Sequence, residues 1–356
     1  MASPQPLRFA NGEPSVETEG GFSLAPEAGV GVAPEMLAIL RALQDGERFL
    51  VCSHSRPDGD AIGSMLAMGM LLQQMGKRAD LVTADRLPPV YRGLPGAGEI
   101  HTVMRVHGLY DAAILLECDG LERTRLRGLE SMYVINIDHH ASGKPFGALN
   151  WIDRHACSVG ELVHRMVRAA GATVTPEMAT CLYTTLLTDT GGFCYGGIQA
   201  NTFRLAAELT EAGADPVSVA RDIYFANPFS KMVLLGRALS TLRREGALIW
   251  LWVTHDDMME TGASEEDCEG VVNYALSIAG VKAAVFLREL PEGRIRLSLR
   301  SKTGDEGGHI NVAAISERLG GGGHENAAGC TLDGPMKRAT EEILTELRRE
   351  LDAHGA

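Results

Sequence analysis

The segment VINIDHHASG, residues 134–143, places an acid and two adjacent histidines where an apolar run ends. The run 133–137 is rich in valine and isoleucine, which is typical of a buried strand in a parallel sheet. Open α/β sheets bind their ligands just beyond the carboxyl ends of such strands. Asp138, His139 and His140 are therefore expected to belong to a functional site, and other strand ends should supply the rest of it.

Apolar runs that lead into acidic or imidazole side chains recur along the first half of the chain. RFLVCSH ends in His54, and the following SRPDGDAIGS supplies Asp58 and Asp60. AAILLEC is followed by Asp119, and the helix-like run CLYTTLLT by Asp189. Gathered carboxylates repel one another unless protons or cations neutralise them. The pattern therefore predicts a site for divalent metal, with Asp119 as the candidate ligand shared between two ions.

Each of these residues also has an ordinary structural explanation. Asp58 and Asp60 flank a glycine ahead of a predicted helix, as a turn residue and an N-cap would. Asp119 could likewise cap a helix, and Asp189 could end one in a plain turn. A single histidine is more often hydrogen-bonded than bound to metal. All these explanations would have to hold together at one edge of one sheet, which favours the metal site.

The alternation of strand-like and helix-like runs predicts an α/β fold in two domains. Residues 1–32 are rich in Gly, Pro, Ser and Glu and are typical of a disordered tail. Residues 33–228 are predicted to form a domain with a mainly parallel sheet, and residues 229–243 a connecting helix. A smaller α/β domain is predicted over residues 244–354.

Composition narrows the class of protein. The 356 residues include 33 Lys and Arg against 46 Asp and Glu, a net charge of −13, which disfavours a broad basic surface for long nucleic acids. The seven cysteines form an odd set without paired spacing and are interpreted as reduced core thiols. No apolar run is long enough to span a bilayer, and the N-terminus lacks a secretory signal, so a cytoplasmic location is expected.

Four segments of the first half resemble the motifs of the DHH phosphoesterases: HSRPDGDAIGS at 54–64, CD at 118–119, DHH at 138–140 and TDTGGF at 188–193. In the second half, EGVVNYALSI, RLSLRSK and LGGGGHENAAG resemble the DHH-associated C-terminal domain. The order of the segments also matches. A chain of this size is most similar to the stand-alone nanoRNase branch, whose members degrade very short oligoribonucleotides and often dephosphorylate pAp (adenosine 3′,5′-bisphosphate).

The resemblance implies two divalent metal ions, manganese by analogy with the family. The ligands would come from the four motifs of the first half and would divide between the two ions. They would be His54, Asp58 and Asp119 for one ion, and Asp60, His139 and Asp189 for the other, with Asp119 shared.

Other residues are implied to act on the substrate. Asp138 would orient a histidine or close the metal cage, and His140 would face the scissile phosphate. The second domain would bind the far end of the substrate across a cleft between the domains, through Arg300, Ser301, Gly321, Gly322, Gly323 and His324. Expected partners are short RNA oligonucleotides and small nucleotides, not long nucleic acid or a membrane, and a homodimer is compatible with the sequence.

Alternatives remain open at several of these points. Arg300 lies in an alternating strand pattern and could be an exposed strand arginine, and the glycine run 320–323 could be a flexible surface loop. The segment after Asp189, GGFCYGGIQANTF, departs from the family, which often carries a basic or polar residue there. This departure bears on local phosphate contacts, not on the metal ligands.

Three other functions are weighed against hydrolysis of short RNA. A phosphoanhydride hydrolase, like the manganese pyrophosphatases that share the DHH half, would need a different second domain with its own basic cluster. A RecJ-like exonuclease would need additional nucleic-acid-binding mass and a more basic groove. A non-catalytic nucleotide sensor would have lost metal ligands, whereas all six are intact here.

Overall fold

The computed structural model describes residues 33–140, 143–194, 198–302 and 310–353. The chain divides into two compact units on either side of the bond between Ala226 and Asn227. No helix among the described residues has the length and apolar character needed to cross a lipid bilayer.

The first unit is built on a six-stranded parallel sheet in the order β3–β2–β1–β4–β5–β6. The central strands β4 and β5 are buried at every residue, which explains their continuous runs of apolar side chains. The predicted mainly parallel α/β fold is thereby confirmed. The strands are β1 Arg48–Cys52, β2 Arg78–Thr83, β3 Ile100–Thr102, β4 Ala112–Leu116, β5 Val134–Asp138 and β6 Leu149–Ile152.

Six helices belong to this unit, and two of them pack very closely. A Cβ atom at Gly63 would lie 2.5 Å from the carbonyl oxygen of Cys181, so only glycine permits the helix Gly59–Gln74 to approach the helix Pro176–Asp189 this closely. Asp60 lies in the first turn of the first of these helices, and Asp189 is the last residue of the second. The helices are α1 Pro34–Asp45, α2 Gly59–Gln74, α3 Val159–Ala169, α4 Pro176–Asp189, α5 Ala200–Glu211 and α6 Pro216–Tyr224.

The cysteines are all free thiols, in agreement with the absence of paired spacing. Five of the seven are buried, which confirms them as core residues. Cys194 is exposed and Cys268 is partly exposed, so the interpretation as core thiols is wrong for Cys194. Its position in the turn after α4, outside any strand or helix, explains the difference.

The second unit has a mixed sheet in the order β11–β12–β10–β9–β8–β7, in which only β8 and β9 pair in parallel. Its strands are β7 Arg243–Glu245, β8 Leu248–Val253, β9 Ala283–Glu289, β10 Arg294–Ser301, β11 Gly322–His324 and β12 Ala327–Asp333. Its helices are α7 Phe229–Ser240, α8 His255–Thr261, α9 Val271–Leu276, α10 Val312–Arg318 and α11 Met336–Ala353.

Candidate metal centre

Four side chains from four different elements meet beyond the carboxyl ends of β4 and β5. Asp60, Glu117, His139 and Asp189 each offer a ligand atom, and these atoms all lie within 4.8 Å of one another. Asp60 comes from α2, Glu117 directly follows β4, His139 directly follows β5, and Asp189 is the last residue of α4. Parallel pairing explains the convergence, because all the strands end at the same edge of the sheet. Three of the six predicted ligands are thus brought together.

Asp60 is almost fully buried, and its carboxylate is held by the start of α3. Its Oδ2 accepts from Val159 N at 2.7 Å, and its Oδ1 accepts from Gly160 N at 3.0 Å. Ser64 Oγ, one turn along α2, also donates to Oδ1 at 3.0 Å. A helix N-terminus favours negative charge, so the start of α3 is a suitable hydrogen-bond partner for this carboxylate.

The imidazole of His139 is oriented so that Nε2 faces the acids. Its Nδ1 lies 3.0 Å from the carbonyl oxygen of Ala156, which can only accept, so Nδ1 carries the proton. Nε2 lies 3.5 Å from both Glu117 Oε1 and Asp189 Oδ2, and it is the nitrogen that a cation would bind. Metal-bound histidines commonly donate their other ring N–H to a carbonyl in this way.

His54 and Asp58 form a second pair of predicted ligands. His54 Nδ1 lies 2.9 Å from the Ser55 carbonyl oxygen, which leaves Nε2 available, 3.9 Å from Asp58 Oδ1. The same Oδ1 accepts from Ala61 N at 3.0 Å and caps α2. The N-cap explanation of Asp58 is therefore correct, and it is compatible with metal binding because a carboxylate has further lone pairs.

Glu117, to which the residue patterns assign no role, lies in the cluster beside His139 and Asp189. Its backbone lies in the left-handed region, φ +60°, which non-glycine residues rarely adopt away from functional sites. It is 3% exposed, and within the described part of the chain no hydrogen-bond donor reaches its Oε2. Asp119 is not part of the four-residue cluster; its Oδ1 lies 3.6 Å from Arg123 Nη1.

His140 is held by the acid two residues before it. Asp138 is fully buried, and its Oδ1 lies 2.5 Å from His140 Nδ1 while accepting from His139 N at 2.8 Å. His140 Nε2 lies 3.3 Å from Glu117 Oε1. Asp138 is thus placed to orient His140, and His140 Nε2 belongs to the same group of potential ligand atoms as Glu117 and His139.

The acids of the cluster destabilise one another's charged forms. Burial, together with Asp60 and Asp189, raises the pKa of Glu117 well above its usual range. Burial also raises the pKa of Asp189 to about 7, with contributions from Asp60 and Asp58, although His139 acts to lower it. Burial disfavours the charged form of His139, yet Glu117, Asp189 and Asp60 together raise its pKa well above its usual value.

These residues fit a divalent cation. Carboxylates and neutral imidazoles suit manganese, iron, zinc or magnesium, and the cluster needs no cysteine ligand. The orphaned Oε2 of Glu117 is costly to bury unless something neutralises or binds it. A bound cation would remove that cost and would lower the raised pKa values of Glu117 and Asp189.

Metal binding is therefore expected to strengthen as pH rises from 5.5 to 7.5. Asp189 and Glu117 hold protons in the metal-free protein that a cation must displace, because their pKa values are raised. The same shifts, and that of His139, make the metal-free fold lose stability as pH rises through this window. Thermal unfolding with and without Mn²⁺ should show a larger increase in Tm at pH 7.5, and an increase independent of pH would contradict the expectation.

A half-buried arginine, Arg165, connects the two ends of the segment that supports His139. Arg165 Nη1 binds Asp153 Oδ2 at 2.7 Å, and Arg165 Nη2 binds Glu161 Oε1. Asp153 N donates to the carbonyl of the last β5 residue at 3.0 Å, and Glu161 Oε2 accepts from Cys157 N at 2.9 Å. Between these two anchors lies Ala156, whose carbonyl fixes the His139 ring. Arg165 therefore acts on the metal ligand through the backbone.

Replacing Arg165 by methionine is expected to weaken metal binding about 10- to 100-fold, the usual effect of losing a partner of a metal ligand. Activity should recover substantially at saturating metal, which a general loss of folded protein would not allow. Arg168→Met, on the exposed side of the same helix, is the matched control and should have little effect. Equal metal affinity in the two variants, measured by titration, would exclude this positioning role.

The predicted substrate residues of the second unit lie at one end of its sheet. Arg300 and His324 pair from either side with Ala327 of β12. Ser301 is buried, and its N and Oγ both donate to Asn326, at 3.0 and 3.1 Å. Arg300 is half-buried, and its Nη1 donates to the carbonyl of Leu299 at 3.0 Å. The side chain of His324 lies outside what the structure describes.

The glycine run before His324 is not simply a flexible loop. Gly322 and Gly323 belong to the edge strand β11, and Gly321 N donates to the Ser316 carbonyl at 2.7 Å. A Cβ atom at Gly321 would lie 2.3 Å from the Gly329 carbonyl oxygen, and one at Gly323 would lie 2.5 Å from that of Ala327. Strand packing therefore explains the glycines at positions 321 and 323, whereas Gly322 has open space beside it.

Family models match both units. One described as the DHH family, N-terminal domain, matches residues 48–186, and one described as the DHHA1 domain matches residues 248–353. A crystal structure of an exopolyphosphatase-related protein from Bacteroides fragilis has a TM-score of 0.82 and 26% identity, covering 90% of this chain and 97% of that one.

The chain also matches curated relatives across most of their length. The bifunctional oligoribonuclease and PAP phosphatase NrnA of Thermus thermophilus is 35% identical over 309 residues, which cover 86% of this chain and 90% of the relative. The Bacillus subtilis protein of the same name is 23% identical over 83% of this chain and 92% of its own. The chain therefore belongs to the DHH family of phosphoesterases, with a DHHA1 domain after the DHH domain.

Proposed function

We propose that the chain is a metal-dependent hydrolase of short oligoribonucleotides that also converts pAp to AMP and phosphate. The observation that carries the proposal is the cluster of Asp60, Glu117, His139 and Asp189 at the carboxyl edge of the parallel sheet. The relative from Thermus thermophilus, at 35% identity, is named a bifunctional oligoribonuclease and PAP phosphatase, as are further relatives from other bacteria.

Two divalent cations, manganese by preference, are proposed for this centre. Asp60, Glu117, His139 and Asp189 would hold one, and His54 with Asp58 would contribute to the other. Glu117 is proposed as the shared ligand in place of Asp119, because its Oε2 has no hydrogen-bond partner among the described residues. The cations would supply Lewis-acid activation of water and of the phosphoryl oxygens.

The chain's own residues then account for orientation and charge. His140, held at Nδ1 by Asp138, would contact the phosphoryl group being cleaved through Nε2. Arg300 carries the planar donor fork that binds two phosphate oxygens at once, and it is proposed to hold a phosphate of the substrate together with the Gly322 backbone. Hydrolysis adds water across one P–O bond, releasing a nucleoside 5′-monophosphate and a shortened RNA, or AMP and phosphate from pAp.

The test is hydrolysis by the purified protein with Mn²⁺ or with a chelator. The substrates are the dinucleotide pApA, RNAs of about five and about twenty nucleotides, pAp and pyrophosphate, chosen because such centres catalyse several phosphoryl transfers. Mn²⁺-dependent cleavage of pApA and pAp, lost in Asp189→Asn, is expected. Cleavage of pyrophosphate alone would instead identify a phosphoanhydride hydrolase, and binding of nucleotides without any turnover a sensor.

A further inference from the structure

The turn after Asp189 holds an aromatic residue in an unusual backbone conformation. Gly191, Gly192 and Phe193 have φ values of +58°, +69° and +65° in succession. Glycine adopts such values freely, but a bulky side chain rarely does. The Phe193 N–H donates to the buried Thr190 Oγ1 at 3.0 Å, which fixes the turn. Strained residues of this kind cluster at functional sites.

Phe193 forms a stacked pair with Phe203 of α5. The ring centroids lie 5.3 Å apart with 24° between the planes. Phe193 also packs against the hydrophobic core of the first unit. Phe203 keeps 55% of its surface exposed. The pair is therefore a rigid aromatic surface that is anchored on one side and open to solvent on the other.

The start of α5 is tied to the segment that supports the metal centre. Asn201 Nδ2 lies 3.4 Å from Glu161 Oε1. Glu161 also accepts from Cys157 N, and the preceding Ala156 carbonyl orients His139. Phe203, two residues after Asn201, is thus connected to the metal ligand His139 through Asn201, Glu161 and the backbone of residues 156–157. Phe193 is only four residues from Asp189.

The chemistry of this segment suits a base, and the first cationic side chain after it is Arg204. TDTGGFCYGGIQANTF, residues 188–203, contains neither lysine nor arginine. Aromatic side chains bind nucleobases by stacking, with little dependence on sequence. We propose that Phe193 and Phe203 form a stacking platform for a nucleobase next to the scissile phosphate. This inference rests on the proposed function and specifies which part of the substrate the centre recognises.

The experiment compares pApA with two analogues, each lacking one of its two adenines. Phe203→Ala should lower kcat/KM for pApA about 5- to 100-fold, the effect of losing one base stack. The same substitution should change kcat/KM by less than about twofold for the analogue that lacks the stacked base. Phe203→Tyr keeps the aromatic ring and should retain the wild-type values. Leu109→Ala, at a still more exposed apolar residue in the loop that leads into the amino end of β4, is the control and should have no effect.

The outcomes separate this inference from the proposed function. A wild-type protein that cleaves none of the three substrates would overturn the proposed function itself. Cleavage of all three with equal efficiency, or an equal loss for pApA and both analogues in Phe203→Ala, would overturn the stacking platform alone. Unchanged kinetics in Phe203→Ala would overturn it as well.

Discussion

Replacing Glu117 by glutamine is expected to abolish metal-dependent hydrolysis, with kcat lowered by more than about 100-fold. Loss of a mere partner of a metal ligand costs 10- to 100-fold, so loss of a central ligand should cost more. Glutamine keeps the size of the side chain but removes the charge that a cation needs. The side chain lies 3.5 Å from His139 Nε2 and 3.3 Å from His140 Nε2, so both histidines face it.

The same substitution should stabilise the metal-free protein. Glu117 is buried beside Asp60 and Asp189, and these carboxylates together with burial raise its pKa well above its usual range. The Glu117 carboxyl must therefore hold a proton at neutral pH in the folded, metal-free protein, a cost that a neutral amide does not carry. Thermal unfolding should therefore show a higher Tm without metal and a much smaller increase on adding Mn²⁺. This combination distinguishes a lost ligand from a misfolded protein, which would have a lower Tm.

The matched control is Asp119→Asn, two residues along the chain. Asp119 lies against Arg123 and outside the four-residue cluster, so its loss should reduce activity by no more than about tenfold. If Asp119→Asn eliminates activity while Glu117→Gln leaves it largely intact, the shared ligand is Asp119, as the sequence had suggested.

The position of the site was predictable because central parallel strands have a clear sequence signature. β4 and β5 are buried on both faces and therefore appear as unbroken apolar runs, and the side chains that follow them mark the ligand edge. The edge strands β3 and β6 have no such runs. Only one of the three β3 residues is buried, and β6 is partly exposed at most positions, so their sequences do not stand out.

The choice between Glu117 and Asp119 could not be made from strand ends alone. Both acids follow the same apolar run, separated by the buried Cys118. The left-handed backbone at Glu117 ends the strand and is not encoded in any residue pattern, because glutamate has no preference for it. One signal in the sequence pointed to Glu117: this acid directly follows the five apolar residues of β4, all of which are buried. A carboxylate at such a position is rarely left unpaired, so it predicts a hydrogen-bonding partner or a cation.

Replacing Asp138 by asparagine is expected to lower kcat about 100- to 10,000-fold, the range seen when the acid that orients a catalytic histidine is neutralised. Asp138 Oδ1 accepts from His139 N, at 2.8 Å, and lies 2.5 Å from His140 Nδ1. His140 holds the pKa of Asp138 below its usual value, against the effect of burial, so the acid is charged at neutral pH. In one orientation, the asparagine side chain turns its NH₂ group toward His140 Nδ1, in place of the accepting oxygen. In the other orientation, the NH₂ group occupies the buried position of Oδ2 and is left unsatisfied.

Metal affinity should change much less than kcat in this variant, because His139 Nδ1 is fixed by the Ala156 carbonyl and not by Asp138. Adding His140→Ala to Asp138→Asn should cost little more than either change alone, since residues that act as a unit are not additive. Asp111→Asn is the matched control: Asp111 also accepts from two backbone N–H groups, at 2.7 and 2.9 Å, but at the amino end of β4. Two fully additive losses would show that Asp138 acts on the fold and not through His140, because a group that only positions His140 has nothing left to position once the imidazole is gone.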